Sequence, residues 1–180
     1  MSLDTKSISA IADRIQHAQD NAQTLNKVTD EHPDMTVDDS YAVQDELCRR
    51  WIARGDRVVG LKAGLTSKAK MDQMGVNVPC FGIQMASMTD YVIPALEVID
   101  SRYEKFKFDL VSVIADNSSS ARYVTGGRPL DPRAIDLRTT GVVIEKNGEI
   151  QALAASAAVL NHPANAIIML VEHLAARGRS

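Results

Sequence analysis

Apolar residues at Ile8, Ile11, Ile15, Ala18, Ala22 and Leu25 recur at steps of three and four, which predicts one helix with a single apolar stripe. The segment Asp30–Asp34 (DEHPD) breaks that pattern. Thr36 with Asp39 then makes an N-cap pair for a second helix carrying Tyr41, Leu47, Cys48, Trp51 and Ile52. Gly55-Asp56 turns the chain into a short predicted strand, Arg57 to Lys62. Gly64 ends it, Thr66 or Ser67 caps a short helix, and Gly75 closes that helix. From Val92 the chain is extended and mostly apolar, and a second apolar run spans Leu110 to Ala115. Val142 to Ala154 reads as a hairpin whose Asn147-Gly148 suits the two positive-φ sites of a type I′ turn. His162-Pro163 precedes a last helix with Ile167, Ile168, Leu170, Val171 and Leu174. Helices first and a β-rich body afterwards predict an α+β fold rather than a doubly wound sheet.

Composition narrows the picture further. At 180 residues and 45% hydrophobic, the chain has enough apolar side chain for one sizeable core, so a single domain spanning 1–180 is expected. Seven Met against three Phe make that core aliphatic. A net charge of −3 provides no basic footprint for nucleic acid. No apolar run approaches the roughly 20 residues of a membrane span. The opening MSLDTKSIS lacks a charged-then-apolar signal, which points to the cytoplasm. Cys48 and Cys80 form no C-x-x-C pair; Cys48 reads as a buried helical thiol, and Cys80 beside Pro79 carries no assigned role.

Three sets of residues could carry chemistry. Glu97 stands between Leu96 and Val98, and a buried ionised carboxylate costs several kcal/mol unless paired or metal-bound. An inward Glu97 therefore hints at a cation, whereas an outward one would pair with a base such as Arg102. Asp116, Asn117, Ser118, Ser119 and Ser120 then cluster short hydrogen-bonding groups, which serve equally as substrate contacts or as ordinary caps and turns. Lys62 ends VVGLK: it is either a solvated strand-end lysine or a cation facing an anionic substrate. Lys68 and Lys70 read as solvated. His17, His32, His162 and His173 show no H-x-H or H-E-x-x-H spacing, so neither zinc nor a Ser-His-Asp triad is expected. Gly126-Gly127-Arg128 lacks the strand–turn–helix setting of a phosphate loop and reads as a plain turn.

The stretches GLKAGLTSKAKM (60–71) and VIPALEVIDSRYEKFKFDLVSVIADNSSSARYVTGG (92–127) together resemble the fumarylacetoacetate hydrolase superfamily. Within it they resemble the branch of 2-oxo-4-pentenoate hydratases and 2-oxo-3-hexenedioate (4-oxalocrotonate) decarboxylases, and EVIDSRYEKFKFDLVSVIADNSSS looks like the decarboxylase side. The resemblance implies a β-sandwich roll with the N-terminal helices packed outside it. It implies Mg²⁺ or Mn²⁺ held by an E-x-E pair and by the glutamate matching Glu97, with Lys62, Ser118 and Ser119 binding substrate. Lys62 would also stabilise charge during catalysis.

The chain departs from that pattern in two respects. It contains no E-x-E. In the family, several dozen residues separate the loop after P-x-x-F-G from the VIPALEV strand, whereas here Phe81-Gly82 is followed closely by Thr89-Asp90-Tyr91. An internal segment after about residue 83, and the strands that close the roll after Arg177-Gly178-Arg179-Ser180, are expected to be absent from these 180 residues. The implied reaction is decarboxylation of 2-oxo-3-hexenedioate in meta-cleavage aromatic degradation. Hydration of the dienoate, and a scaffold role beside the sibling hydratase, are the alternatives. The implied partners are a small 2-oxo dicarboxylic acid, that hydratase and further copies of the chain, with no nucleic acid and no membrane.

Overall fold

The computed structural model of the protein describes residues 2–64 and 89–178. Its regular elements are α1 (Thr5–Asp20), α2 (Val37–Ala53), β1 (Ala95–Ile99), α3 (Leu110–Ala115), β2 (Ser120–Thr125), β3 (Gly141–Lys146), β4 (Glu149–Ala155) and α4 (Ala164–Ala176). The fold is α+β, as the order of patterns predicts. The chain divides into two units, Met1–Leu61 with Leu96–Val124, and Lys62–Ala95 with Thr125–Ser180.

In the first unit, local chemistry sets the helix ends. Asp4 accepts the Ser7 N–H at 2.8 Å and starts α1. Thr36 and Asp39 form a reciprocal capping box at the start of α2, as the sequence predicts. Asp39 does more than cap: its carboxylate also accepts the Ser2 hydroxyl at 2.7 Å and the Leu3 N–H at 2.9 Å, tying the N-terminus to α2. Burial pushes its pKa up, but those bonds and the two from Thr36 outweigh burial and hold it well below the usual carboxylate range. Arg50 bridges the two helices, reaching Glu46 at 2.7 Å and Asp13 at 2.5 Å. The Arg49 and Arg50 guanidiniums, opposed by burial, hold Glu46 down at about 2.

The apolar stripes of α1 and α2 meet as Ile11, Ala12 and Ile15 against Val43 and Leu47, with Val28, Met35, Tyr103 and Ala115 completing one core. Tyr103 is only 1% exposed. Its hydroxyl donates to the Ser112 carbonyl at 2.9 Å, and burial pushes its pKa above the ordinary range.

The sequence reading places α1 too far along the chain. Asn21 turns its side-chain amide back onto the His17 carbonyl, and Ala22 takes a positive φ of 50°, so the helix ends before Ala22 and Leu25. Leu25 instead forms a bridge with Tyr103, its N–H donating to the Arg102 carbonyl at 2.8 Å. The predicted strand Arg57–Lys62 is not one: no strand lies there, because no backbone pairs with it among the described residues. The helix expected between Gly64 and Gly75 falls largely outside the described residues. Cys48 is a free thiol, half-buried rather than buried.

In the second unit, β3 and β4 form the predicted hairpin. Asn147 and Gly148 carry φ of 55° and 82°, and the register shifts between Ile144 and Glu145. α4 follows Pro163, with Leu160 and Ala166 packed against Ala63, Val159 and Met169.

Asp39→Asn keeps the size of the side chain but forfeits acceptor capacity that four donors use. It should cost about 2 kcal/mol at pH 7, in the range of bonds made to a charged group. Since the folded pKa of Asp39 lies below its unfolded value, its stabilisation is present above about pH 4 and lost as pH falls toward the folded value. Urea melts should show the deficit of the variant shrinking below pH 4.

Candidate active site

β1 carries Glu97 and pairs with β2; the Asp100 N–H donates to the Ser119 carbonyl at 2.9 Å, so the end of β1 lies at the start of β2 and the ladder is antiparallel. Glu97, Ser118 and Ser119 therefore belong to one local structure, a strand and the turn bonded to its end. The expectation of an inward Glu97 is not met. All five residues of β1 are exposed, including Leu96 and Ile99, each at 55%, because no described element covers either face of the strand.

The turn itself is unusual. Asn117, Ser118 and Ser119 have φ of 48°, 55° and 55°, three consecutive left-handed residues without a glycine. Each such residue costs about 1–2 kcal/mol in L-amino acids, so the turn persists only because its surroundings fix it. Asp116 is the main anchor. It is 1% exposed and takes the Arg102 Nε on one carboxylate oxygen, while the other accepts the Arg102 N–H and the Ser119 hydroxyl, each at 3.3 Å. Arg102, 6% exposed, also donates to the Asp116 carbonyl at 2.8 Å and the Ser120 carbonyl at 3.4 Å. Burial pushes the Asp116 carboxyl up against the pull of Arg102. From α2, the Gln44 amide donates to Asn117 Oδ1 at 3.2 Å and to the Ile114 carbonyl at 3.3 Å. At the other end of α3, Asp109 caps Ser112 at 2.8 Å and accepts the Thr29 hydroxyl. The two serines differ: Ser119 is buried with its hydroxyl on Asp116, and Ser118 is half-buried at the middle of the turn.

Lys62 is exposed and belongs to the second unit. Cys80 and the loop around Phe81 lie outside the described residues. Gly126 follows β2 in a bend whose N–H donates to the Pro94 carbonyl at 2.7 Å; a Cβ there would meet Pro94 Cγ at 2.8 Å, so the glycine serves close backbone approach, in keeping with a plain turn. Arg102 and Asp116 are the functional candidates that sequence reading missed as a pair; their only signal was a base and an acid flanking the apolar run.

The donor set does not fit the three-glutamate centre that the resemblance implies. Among the described residues no three His, Cys, Asp or Glu side chains gather where they could hold a metal ion. Asp72 is the one acid in the sequence between residues 65 and 88, and no E-x-E occurs anywhere. Glu97 is the one glutamate of this sequence that the resemblance matches to that centre.

The chain is 45% identical to the 4-oxalocrotonate decarboxylase of Pseudomonas sp. (strain CF600) over 212 residues, which cover 94% of this chain and 80% of that protein. It is 31% identical to the 2-keto-4-pentenoate hydratase of Paraburkholderia xenovorans (strain LB400), over 93% of this chain and 78% of that one. Among solved structures it superposes with a TM-score of 0.92 on the 4-oxalocrotonate decarboxylase from Pseudomonas putida G7 complexed with magnesium and adipate. There the identity is 43%, over 98% of this chain and 84% of that one. A second structure of that enzyme is complexed with calcium and acetate. No protein-family model matches the chain. Since 94% of 180 residues is about 169, some 43 of the 212 positions aligned with the first decarboxylase have no counterpart here.

Mg²⁺ dehydrates reluctantly and needs more than one protein carboxylate to be held tightly. Mn²⁺ titrated into this chain should bind no better than about millimolar, and Glu97→Gln should change that little. Saturable micromolar binding lost in Glu97→Gln would show that further ligands converge on Glu97.

Proposed function

This chain belongs to the family of 4-oxalocrotonate decarboxylases and 2-keto-4-pentenoate hydratases, and we propose that its reaction is the decarboxylation of 4-oxalocrotonate to 2-hydroxypenta-2,4-dienoate and CO₂. The observation that carries this reading is the likeness to the decarboxylases, 45% against 31% for the hydratase, over nearly the same share of the chain. Breaking the bond to the departing carboxylate leaves an electron pair on carbon. That pair delocalises through the adjacent C=C bond onto the 2-oxo oxygen, where negative charge grows. Groups that meet this oxygen and the neighbouring C1 carboxylate lower the barrier if they are fixed in advance. Lys62 supplies a cation for that end of the substrate, and Ser118 and Ser119 supply hydrogen-bond donors. The departing carboxylate belongs in the less polar part of the site, since losing charge there favours release.

The finer fold reading is a β-sandwich roll of the fumarylacetoacetate hydrolase type, with α1 and α2 on its outside, formed as a single domain. Supporting it are the exposed apolar positions on all four strands, which a complete roll would cover, and the roughly 43 aligned positions that this chain lacks. In a chain completed by two further carboxylates facing Glu97, Mg²⁺ or Mn²⁺ would have its donor set. The setting proposed is cytoplasmic, as a homo-oligomer beside the sibling hydratase; no described helix is long and apolar enough to cross a membrane.

A second reading is favoured by one specific observation, that the described residues gather no three-carboxylate donor set: the chain would then be a non-catalytic companion of the hydratase. Assay of both substrates with Mg²⁺ separates the readings. CO₂ release from 4-oxalocrotonate above background, with slower hydration of the dienoate, is expected. Hydration without CO₂ moves the assignment to the hydratase, and neither activity moves it to the companion.

Lys62→Ala should lower CO₂ release by about 10²-fold, the loss typical of one charge-stabilising donor. Its exposed position means that truncation opens no cavity, so the melting temperature should hold. Unchanged turnover would return Lys62 to the solvated surface.

A further inference from the structure

We propose that His162 is a pH-sensitive positioning residue, whose neutral ring fastens the start of α4 beside Ala63 and Lys62 and whose protonation releases it. The proposal rests on the reading above that Lys62 meets the substrate, and it gives the backbone beside that lysine a titrating hold. All the residues concerned belong to the second unit. A helix leaves its first N–H groups without partners inside the helix, and a side chain commonly accepts one of them. The N-cap of α4 is Pro163, which has no side-chain acceptor. The ring of His162 does that work instead: its Nδ1 accepts the Ala164 N–H at 3.1 Å. An acceptor nitrogen carries no proton, so this bond exists only for the neutral ring with its proton on Nε2.

The approach to α4 gives the bond its leverage. Leu160 and Asn161 have φ of 50° and 64°, two left-handed residues in succession and a costly course for L-amino acids. The His162 N–H donates to the Val159 carbonyl at 2.9 Å, and the Asn165 side-chain amide donates to the Leu160 carbonyl at 2.7 Å. Those bonds do not titrate, so protonation loosens the junction without unfolding it. Leu160 and Ala166, buried on either side of His162 in the chain, pack with Ala63, whose neighbour is Lys62. Electrostatics set two positions for the ring. A cation at a helix N-terminus opposes the positive end of the dipole, and a protonated Nδ1 opposes the Ala164 N–H directly. Asp136, in the loop before β3, attracts the same cation; bonds from the Thr139 hydroxyl and the Arg138 N–H hold its carboxyl below the usual range. Protonation thus exchanges a bond to α4 for attraction toward Asp136. Glu172, His173 and Arg177 stand at the far end of α4, and Lys62 is the titratable group beside Ala63.

Imidazoles as a class change charge between about pH 5 and pH 8, and NMR across that interval is the test. As pH falls, the Ala164 amide should lose about fivefold in its protection factor against exchange, the loss typical of one hydrogen bond. The Ala63 amide shift should move with the same midpoint as the His162 ring. His162→Asn keeps an acceptor for the N–H two residues on at every pH, so both steps should vanish in it, although His17, His32 and His173 remain. CO₂ release from 4-oxalocrotonate should fall more steeply with acid in the wild type than in that variant. An Nδ1 already protonated at about pH 8, a step that persists in His162→Asn, or an Ala63 amide that ignores the ring would overturn the proposal. Parallel CO₂ profiles in the two proteins would overturn its link to Lys62. The amide readouts need no turnover, so absence of CO₂ from both proteins sinks the decarboxylase reading while the midpoints still decide the switch.

Discussion

The buried pair of Arg102 and Asp116 is the constraint on which the strand-and-turn half of the first unit depends. Moving either ion out of water costs several kcal/mol, and mutual attraction recovers this only when the remaining donors and acceptors are also satisfied. Here they are, by two backbone carbonyls on the arginine and by a backbone N–H and a serine hydroxyl on the aspartate. Yet burial still pushes the Asp116 carboxyl upward. A carboxyl with a folded pKa above its unfolded one stabilises the fold most when protonated, and that stabilisation is lost as pH rises through the folded value. The pair holds the local geometry through these bonds. It shares that geometry among the end of β1, the end of α3 and the start of β2.

The strands pose the opposite problem. β1, β3 and β4 are exposed along their whole lengths, and β2 is exposed beyond Ser120. Leu153 is 68% exposed, Tyr123 and Val124 63% each. Two-stranded sheets are marginal in water, and apolar faces of this kind are found where something covers them. The helical core needs no such cover, since α1, α2, Tyr103 and Ala115 enclose one another. The same uncovered β1 explains why Glu97 is solvent-exposed: an inward position exists only when there is an inside, and the described residues do not build one over this strand.

Features set by near neighbours were legible in the sequence. The Thr36–Asp39 box, the Asn147-Gly148 hairpin and the last helix all follow from residues within one or two turns of each other. Features set by distant partners were not. The stripe that includes Ala22 and Leu25 continues the helical period, but a bridge to Tyr103, far along the chain, draws Leu25 out of it. VVGLK has strand composition without a partner strand among the described residues. The cluster Asp116–Ser120 was visible as a group of small polar residues. Its left-handed course was not, because nothing in Asn-Ser-Ser specifies three positive φ values; the clamp from Arg102 and the bond from Gln44 do.

The helical core and the strained turn are thus separate parts of one unit, joined at few points. Asp39 ties the N-terminus to α2, α2 packs on α1 through the core, and Gln44 on the same helix reaches Asn117. A strained turn can be kept only where such neighbours supply more stabilisation than the strain removes. The rigid helix pair α1–α2 contributes to that surplus through its shared core. A loop of ordinary conformation would be cheaper to fold. In this chain the turn is ordered by folding, through the buried contacts of Arg102 and Asp116 and the half-buried one from Gln44 to Asn117.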